Sequence, residues 1–177
     1  MPFPIAHGLA GASIVEATTQ DFSLGRSWKP LAVGAAIAIL PDFDYLLVWA
    51  LDFDESWHRG FSHSIIFGVF VGLLASAVMD ASRIREALGY IFAAVSHGLL
   101  DFSTTKYSKG VQLFWPFSVD WFKLGLFDYP VHNLFITGMI ELSGILVLLL
   151  IILWGRQNRS GNSRQKRERT RKAQVYE

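Results

Sequence analysis

Apolar residues in this chain gather into long blocks, and polar residues break those blocks at only a few points. Residues 4–18, "PIAHGLAGASIVEAT", are rich in small residues, helical in spacing, and interrupted by His7 and Glu16. Residues 30–51 are apolar on both sides of "PDFD", and residues 64–79 carry no charge at all. Residues 87–104 hold one histidine and one aspartate, and residues 133–154 are interrupted only by Glu141. A membrane-spanning helix needs about 20 mostly apolar residues. The last block clears that length and the others lie near it. The pattern predicts an all-α, polytopic membrane helix bundle of four to five spans, the N-terminal block being the fifth.

Charge divides the chain in two. Residues 1–155 carry 8 basic and 13 acidic side chains, whereas residues 156–177 carry 8 basic and 2 acidic. We therefore read 1–155 as a membrane-embedded helical domain and 156–177 as a disordered basic tail. Lys and Arg near helix ends prefer the cytoplasmic side. With the tail inside, the turn with Arg83 and Arg85 also falls inside, helix 30–51 starts inside beside Arg26 and Lys29, and "HRGFSHS" (residues 58–64) falls outside. Arg59, Lys106, Lys109 and Lys123 are the exceptions, in loops that function can claim. A soluble all-helical protein is the alternative, which the tail and the charge map disfavour. Anionic lipid attracts such a basic run by about 1 kcal/mol per residue, and no nucleic-acid partner is expected. The start "MPFPIAHGLAG" lacks the positive n-region and apolar h-region of a cleavable signal peptide.

Ionisable groups inside spans are costly and mark function by default. Under this topology Asp42 and His97 both lie about 15–17 Å up from the inner end of their helices. Asp101 follows His97 by four residues, on the same helical face. Asp44 lies above Asp42, His58 and His63 descend from the outer loop, and His7 reaches a similar level. "PDFD" would send its two carboxylates about 200° apart in a regular helix. Pro41 removes a hydrogen bond and invites local unwinding, which is tolerated at membrane depth beside a polar cavity. Each feature also has an ordinary reading: the His97–Asp101 pair as a surface or capping pair, "PDFD" as a helix break with a capping Asp, and Ser62 as an N-cap.

There is no cysteine, so a metal must be held by imidazole nitrogen and carboxylate oxygen, a set suited to Zn²⁺ or Mn²⁺. His7, Asp42, Asp44, His58, His63, His97 and Asp101 are the candidate ligands for one or two ions. Arg59 is the candidate partner of an anionic phosphate, and Asp42 a candidate base. His132 is assigned an interfacial role, and Glu16 and Glu141 are expected to pair between helices. The loop 107–133, rich in Trp and Phe, reads either as an aromatic belt or as a lid admitting a lipid-like substrate from the side.

The N-terminal helix with His7, then "PDFD", "HRGFSHS" and "SHGLLDFSTTKYSKGVQLFWPFS", in that order, resembles the membrane-bound metal-dependent hydrolases of the bacterial inner membrane, some described as LexA-regulated. The resemblance covers roughly residues 1–155. It implies an integral inner-membrane protein with a hydrolytic activity, to which the charge map adds a cytoplasmic C-terminus and a metal site toward the outer face. A looser similarity to zinc phospholipase C rests on an early histidine (His7), Asp44 with His58 fourteen residues on, and His97 with Asp101. It bears on the ligand set more than on the fold. The expected activity is hydrolysis of a phosphoester in a lipid or lipid-linked substrate. The alternatives are metal-ion or proton transport and a non-catalytic, metal-stabilised membrane protein.

Overall fold

The computed structural model describes residues 4–19, 28–54, 57–105 and 109–126, with single helical positions between Met139 and Gln157. Five helices form in chain order: α1 (Pro4–Thr18), α2 (Lys29–Ile39), α3 (Asp44–Leu51), α4 (Ile65–Val78) and α5 (Ile84–Thr104). Short 3₁₀ turns occupy Leu40–Phe43 and Phe61–His63. Among the described residues every regular element is helical, and strand-like pairing is limited to one antiparallel bridge between Val111 and Phe122. His132, Glu141, most of the block 133–154 and all of the basic tail but Gln157 lie outside the described residues.

The break expected at Pro41 is present. α2 ends at Ile39, a 3₁₀ turn carries Pro41 and Asp42, and α3 starts at Asp44. The N-cap of α4 is Ser64, whose hydroxyl accepts from the Phe67 N–H at 3.1 Å. Ser62, the residue read as a cap, turns instead toward Asp44.

α5 is the hub, packed against α1, α2 and α4, while α1 also packs on α2. Small residues bring these helices close, as they do at helix contacts within membranes. A Cβ on Gly11 would lie 2.2 Å from the Gly34 carbonyl oxygen, and one on Gly72 would lie 2.3 Å from the Ile91 Cα. α4 buries Gly68, Val71, Gly72, Ala75 and Ser76 and exposes Ile66, Phe70, Leu73, Leu74 and Val78. A water-soluble helix turns its large apolar side chains inward; α4 does the reverse. The largest fully buried side chains include His7, His63, His97, Glu16 and Asp101.

By length and composition one helical stretch among the described residues, Lys29–Leu51, can cross a membrane; Ile65–Val78 is apolar but shorter. Of the four to five spans read from the sequence, one meets that measure among the described residues, and the block 133–154 lies mostly outside them. α5 has the length but carries Arg85, Glu86, His97 and Asp101, and α1 has only 15 residues.

Candidate metal centre

Four segments converge on one polar interior. α1 brings His7, the 3₁₀ turn and α3 bring Asp42 and Asp44, the loop before α4 brings His58, Arg59 and His63, and α5 brings His97 and Asp101. His7, His63, His97 and Asp101 are completely buried. The expected i, i+4 pair on α5 faces inward as a unit. Its approach to the loop depends on Gly98, where a Cβ would sit 2.2 Å from the His63 carbonyl oxygen.

The distances define a compact centre. His97 Nε2 lies 3.4 Å from Asp42 Oδ1 and 3.0 Å from His63 Nε2. His63 Nε2 lies 3.5 Å from Asp101 Oδ2 and 3.8 Å from Asp42 Oδ1, while His7 Nε2 lies 3.4 Å from Asp101 Oδ1. The His7 and His97 rings stack with centroids 3.9 Å apart. Three donor groups are close enough to share an ion: His7, Asp42 and His97; His63, His97 and Asp101; and Asp44, His58 and His63.

Hydrogen-bond roles can be assigned by elimination. His97 Nδ1 lies 2.6 Å from the Ala38 carbonyl oxygen. A carbonyl only accepts, so Nδ1 carries the proton and Nε2 of the neutral ring offers a lone pair. Ser62 gives its one hydroxyl proton to Asp44 Oδ2 and lies 3.0 Å from His63 Nδ1. That nitrogen must therefore donate to Ser62, and His63 Nε2 is also a lone pair when the ring is neutral. Two lone pairs 3.0 Å apart require a positive charge between them: a proton or a metal ion. Burial opposes protonation of His63, but the carboxylates of Asp101 and Asp44, each 3.5 Å from a ring nitrogen, outweigh it and raise its pKa to about 9. Both His7 ring nitrogens, Asp42 Oδ1 and both Asp101 carboxylate oxygens are buried with no properly aligned hydrogen bond among the described residues. Buried polar atoms are almost always partnered. Orphans of the two donor types a Zn²⁺ or Mn²⁺ ion accepts, gathered at one point, fit such an ion.

Asp44 differs. It accepts from His58 Nδ1 at 2.7 Å, from the Arg59 N–H at 3.2 Å and from the Ser62 hydroxyl, so it clasps the whole loop. Arg59, a non-glycine residue at φ 67°, is buried with Nε 3.6 Å from Asp101 Oδ2. Sequence reasoning missed Ser62 and the Ala38 carbonyl as parts of the centre. Ser62 stands inside "HRGFSHS" and was open to notice; a backbone carbonyl has no sequence signal. Glu16 is buried in α1, nine residues and about 13 Å along the helix from His7.

The fold and the centre can now be set beside known proteins. A family model described as "YdjM inner membrane protein" matches residues 1–162. A relative named "Inner membrane protein YbcI", from Escherichia coli (strain K12), is 37% identical over 97 residues, 50% of this chain and 54% of that protein. The chain spans about half the length of that curated relative. No solved structure matches the chain. Four of the described elements carry the buried donors, and all of them fall inside the region that the family model covers: the chain belongs to the YdjM inner membrane protein family.

Proposed function

We propose that this protein is a metal-dependent hydrolase of the inner membrane, acting on a phosphoester in a lipid or lipid-linked substrate. The observation that carries the reading is the set of orphaned buried donors on His7, Asp42 and Asp101, closed by the facing Nε2 atoms of His63 and His97. These five residues would hold a divalent cation, Zn²⁺ by donor type. When bound, the cation supplies Lewis-acid activation of water and of a phosphoryl oxygen. Asp44, already accepting three hydrogen bonds, and His58, whose Nδ1 is engaged with it, frame the loop and give a second ion the weaker claim.

The side chains supply the remaining parts of a hydrolysis. Asp42 stands at the rim, with Oδ1 turned inward and the carboxylate 17% exposed, where it can take a proton from the attacking water. The water oxygen bonds to phosphorus, the bond from phosphorus to the alcohol oxygen breaks, and the proton passes to the departing alkoxide. The Arg59 guanidinium beside Asp101 meets the charge on the phosphate, for which its planar fork is suited. The membrane arrangement proposed with this activity has four to five spans, a cytoplasmic C-terminus and the centre toward the outer face.

The test is metal analysis of the purified protein in detergent, with circular dichroism to establish folding. Wild type should hold stoichiometric metal, His97→Ala should not, and His58→Ala should retain it. A phosphoester panel should then show turnover that chelation abolishes. A folded wild type without metal ends the proposal; metal without turnover ends its hydrolytic part in favour of a transport or metal-stabilised protein.

A further inference from the structure

The centre is closed on most sides. His7, His63, His97 and Asp101 have no exposed surface to speak of, and Arg59 and Asp44 are buried. Two cluster side chains reach the outside: Asp42, at 17%, and His58, at 15%. Both emerge beside the Leu40–Phe43 turn and α3, where Tyr45 meets the His58 ring edge-on at 5.3 Å. The segment 109–126 packs on the loop before α4 and on the end of α5. Its Gln112 N–H bonds to the Arg59 carbonyl at 3.1 Å, its Leu113 carbonyl accepts from Ile65 at 3.0 Å, and its Leu124 N–H bonds to Phe102 at 2.8 Å. A cavity of about 260 Å³ beneath that segment is lined by Trp57, Gly60, Phe61, Gln112 and Trp115, with no metal donor in its wall.

Among the described residues, the surface beside this rim is apolar. Leu40, Phe43, Tyr45, Leu46, Leu47 and Trp49 are all exposed, Trp49 at 78%. Between Lys29 and Leu51 the charged side chains are Asp42 and Asp44 alone. This is also the stretch with the length and composition to cross a membrane, so its exposed face in an inner membrane protein is lipid-facing. A water-soluble phosphoester gains nothing from such a rim. An amphiphile leaves its chains in the bilayer and has only to turn its head inward.

We infer that the rim where Asp42 and His58 are partly exposed is a lateral portal, through which a membrane lipid with an anionic phosphoester head enters the centre while its chains lie along the exposed face of residues 40–49. The inference rests on the proposed function and names its substrate class as bilayer-resident. Asp42 at the rim repels an anionic head, so entry depends on the cation that offsets it.

Photo-crosslinking tests the portal. Benzoylphenylalanine replaces Phe43 at the portal or Phe70 on α4, two phenylalanines of nearly equal exposure, 59% and 58%. The full chain is placed with Zn²⁺ in phosphatidylcholine vesicles containing a minor fraction of radiolabelled phosphatidic acid. Labelling at position 43 should exceed that at 70 about tenfold, a difference of about 1.4 kcal/mol in occupancy. Chelation or excess unlabelled phosphatidic acid should suppress it, and glycerol phosphate should not. Equal labelling at both positions, persistence after chelation, or competition by glycerol phosphate each overturns the portal. Zinc content and turnover of nitrophenyl phosphate, read on the same samples, keep the two proposals apart. Loss of zinc defeats the metal reading, whereas zinc and turnover with equal labelling defeat the portal alone.

Discussion

His63 couples the two halves of the polar interior through its two ring nitrogens. Nδ1 faces Ser62 and Asp44, the latter at 3.5 Å, and Nε2 faces Asp42, His97 and Asp101. Without metal its proton is the positive charge between the facing imidazoles. Its pKa is raised from 6.5 to about 9, so the stability it contributes is complete below pH 6.5 and lost as pH climbs through about 9. Thermal denaturation of the chelated protein should therefore show a midpoint that falls across that window. A bound divalent cation takes over the role of the proton, so metal affinity should rise with pH over the same range. A flat profile in the chelated protein would sink this account of His63. Asp101→Asn, which removes charge next to His7, His63 and Arg59, should depress zinc content far more than Ser62→Ala, which weakens one supporting hydrogen bond. Equal losses would mean that Asp101 is no ligand.

At the scale of elements, the centre depends on a turn, a loop and one close helix contact. The turn was legible: Pro41 in an apolar run announces a break, and the break separates Asp42 from α3. So was the α5 face, since an i, i+4 spacing fixes His97 and Asp101 on one side whatever they touch. The loop was legible only as composition. Its fold is set by Asp44, fourteen to eighteen residues away, and local pattern does not reveal which serine caps α4 and which serves the carboxylate. The Ala38 carbonyl that fixes His97, 59 residues off, was beyond reach for the same reason. Gly98 is where loop and helix meet. Gly98→Ala should push the His63 backbone off α5 and weaken zinc binding about tenfold or more while helix content stays, since displacing a support of a ligand typically costs 10–100-fold. Gly72→Leu should instead cost stability, by about 1–3 kcal/mol or more through overpacking against Ile91, and zinc affinity should follow only as the fold is lost. Isothermal titration with zinc beside thermal denaturation separates the two effects.

For the whole molecule, the distribution of residues argues more strongly than helix length. Carboxylates and imidazoles fill the interior while α3, α4 and α5 turn Leu, Ile, Phe and Trp outward. In water that arrangement would expose many large apolar side chains, which soluble monomers rarely gather into large patches; in lipid it is the economical one, because every buried donor escapes hydrocarbon. α5 has the length to cross and owes its polar positions to His97 and Asp101, so the face it turns outward is the better guide to its surroundings. If α4 and α5 cross as a pair, the turn that joins them and the segment 109–126 lie on opposite sides. The charge map then puts Arg83 and Arg85 inside and the metal centre toward the outside. The chain has no cysteine, so single reporters are easily placed. Ser82→Cys, exposed in the turn before α5, and Val119→Cys, exposed in the loop beyond it, bracket the pair. In intact cells stripped of the outer membrane, an impermeant maleimide should modify position 119 and spare position 82 until the membrane is opened. Labelling of both from one side would mean that α4 and α5 do not cross, and the inverse pattern would place the portal on the cytoplasmic leaflet.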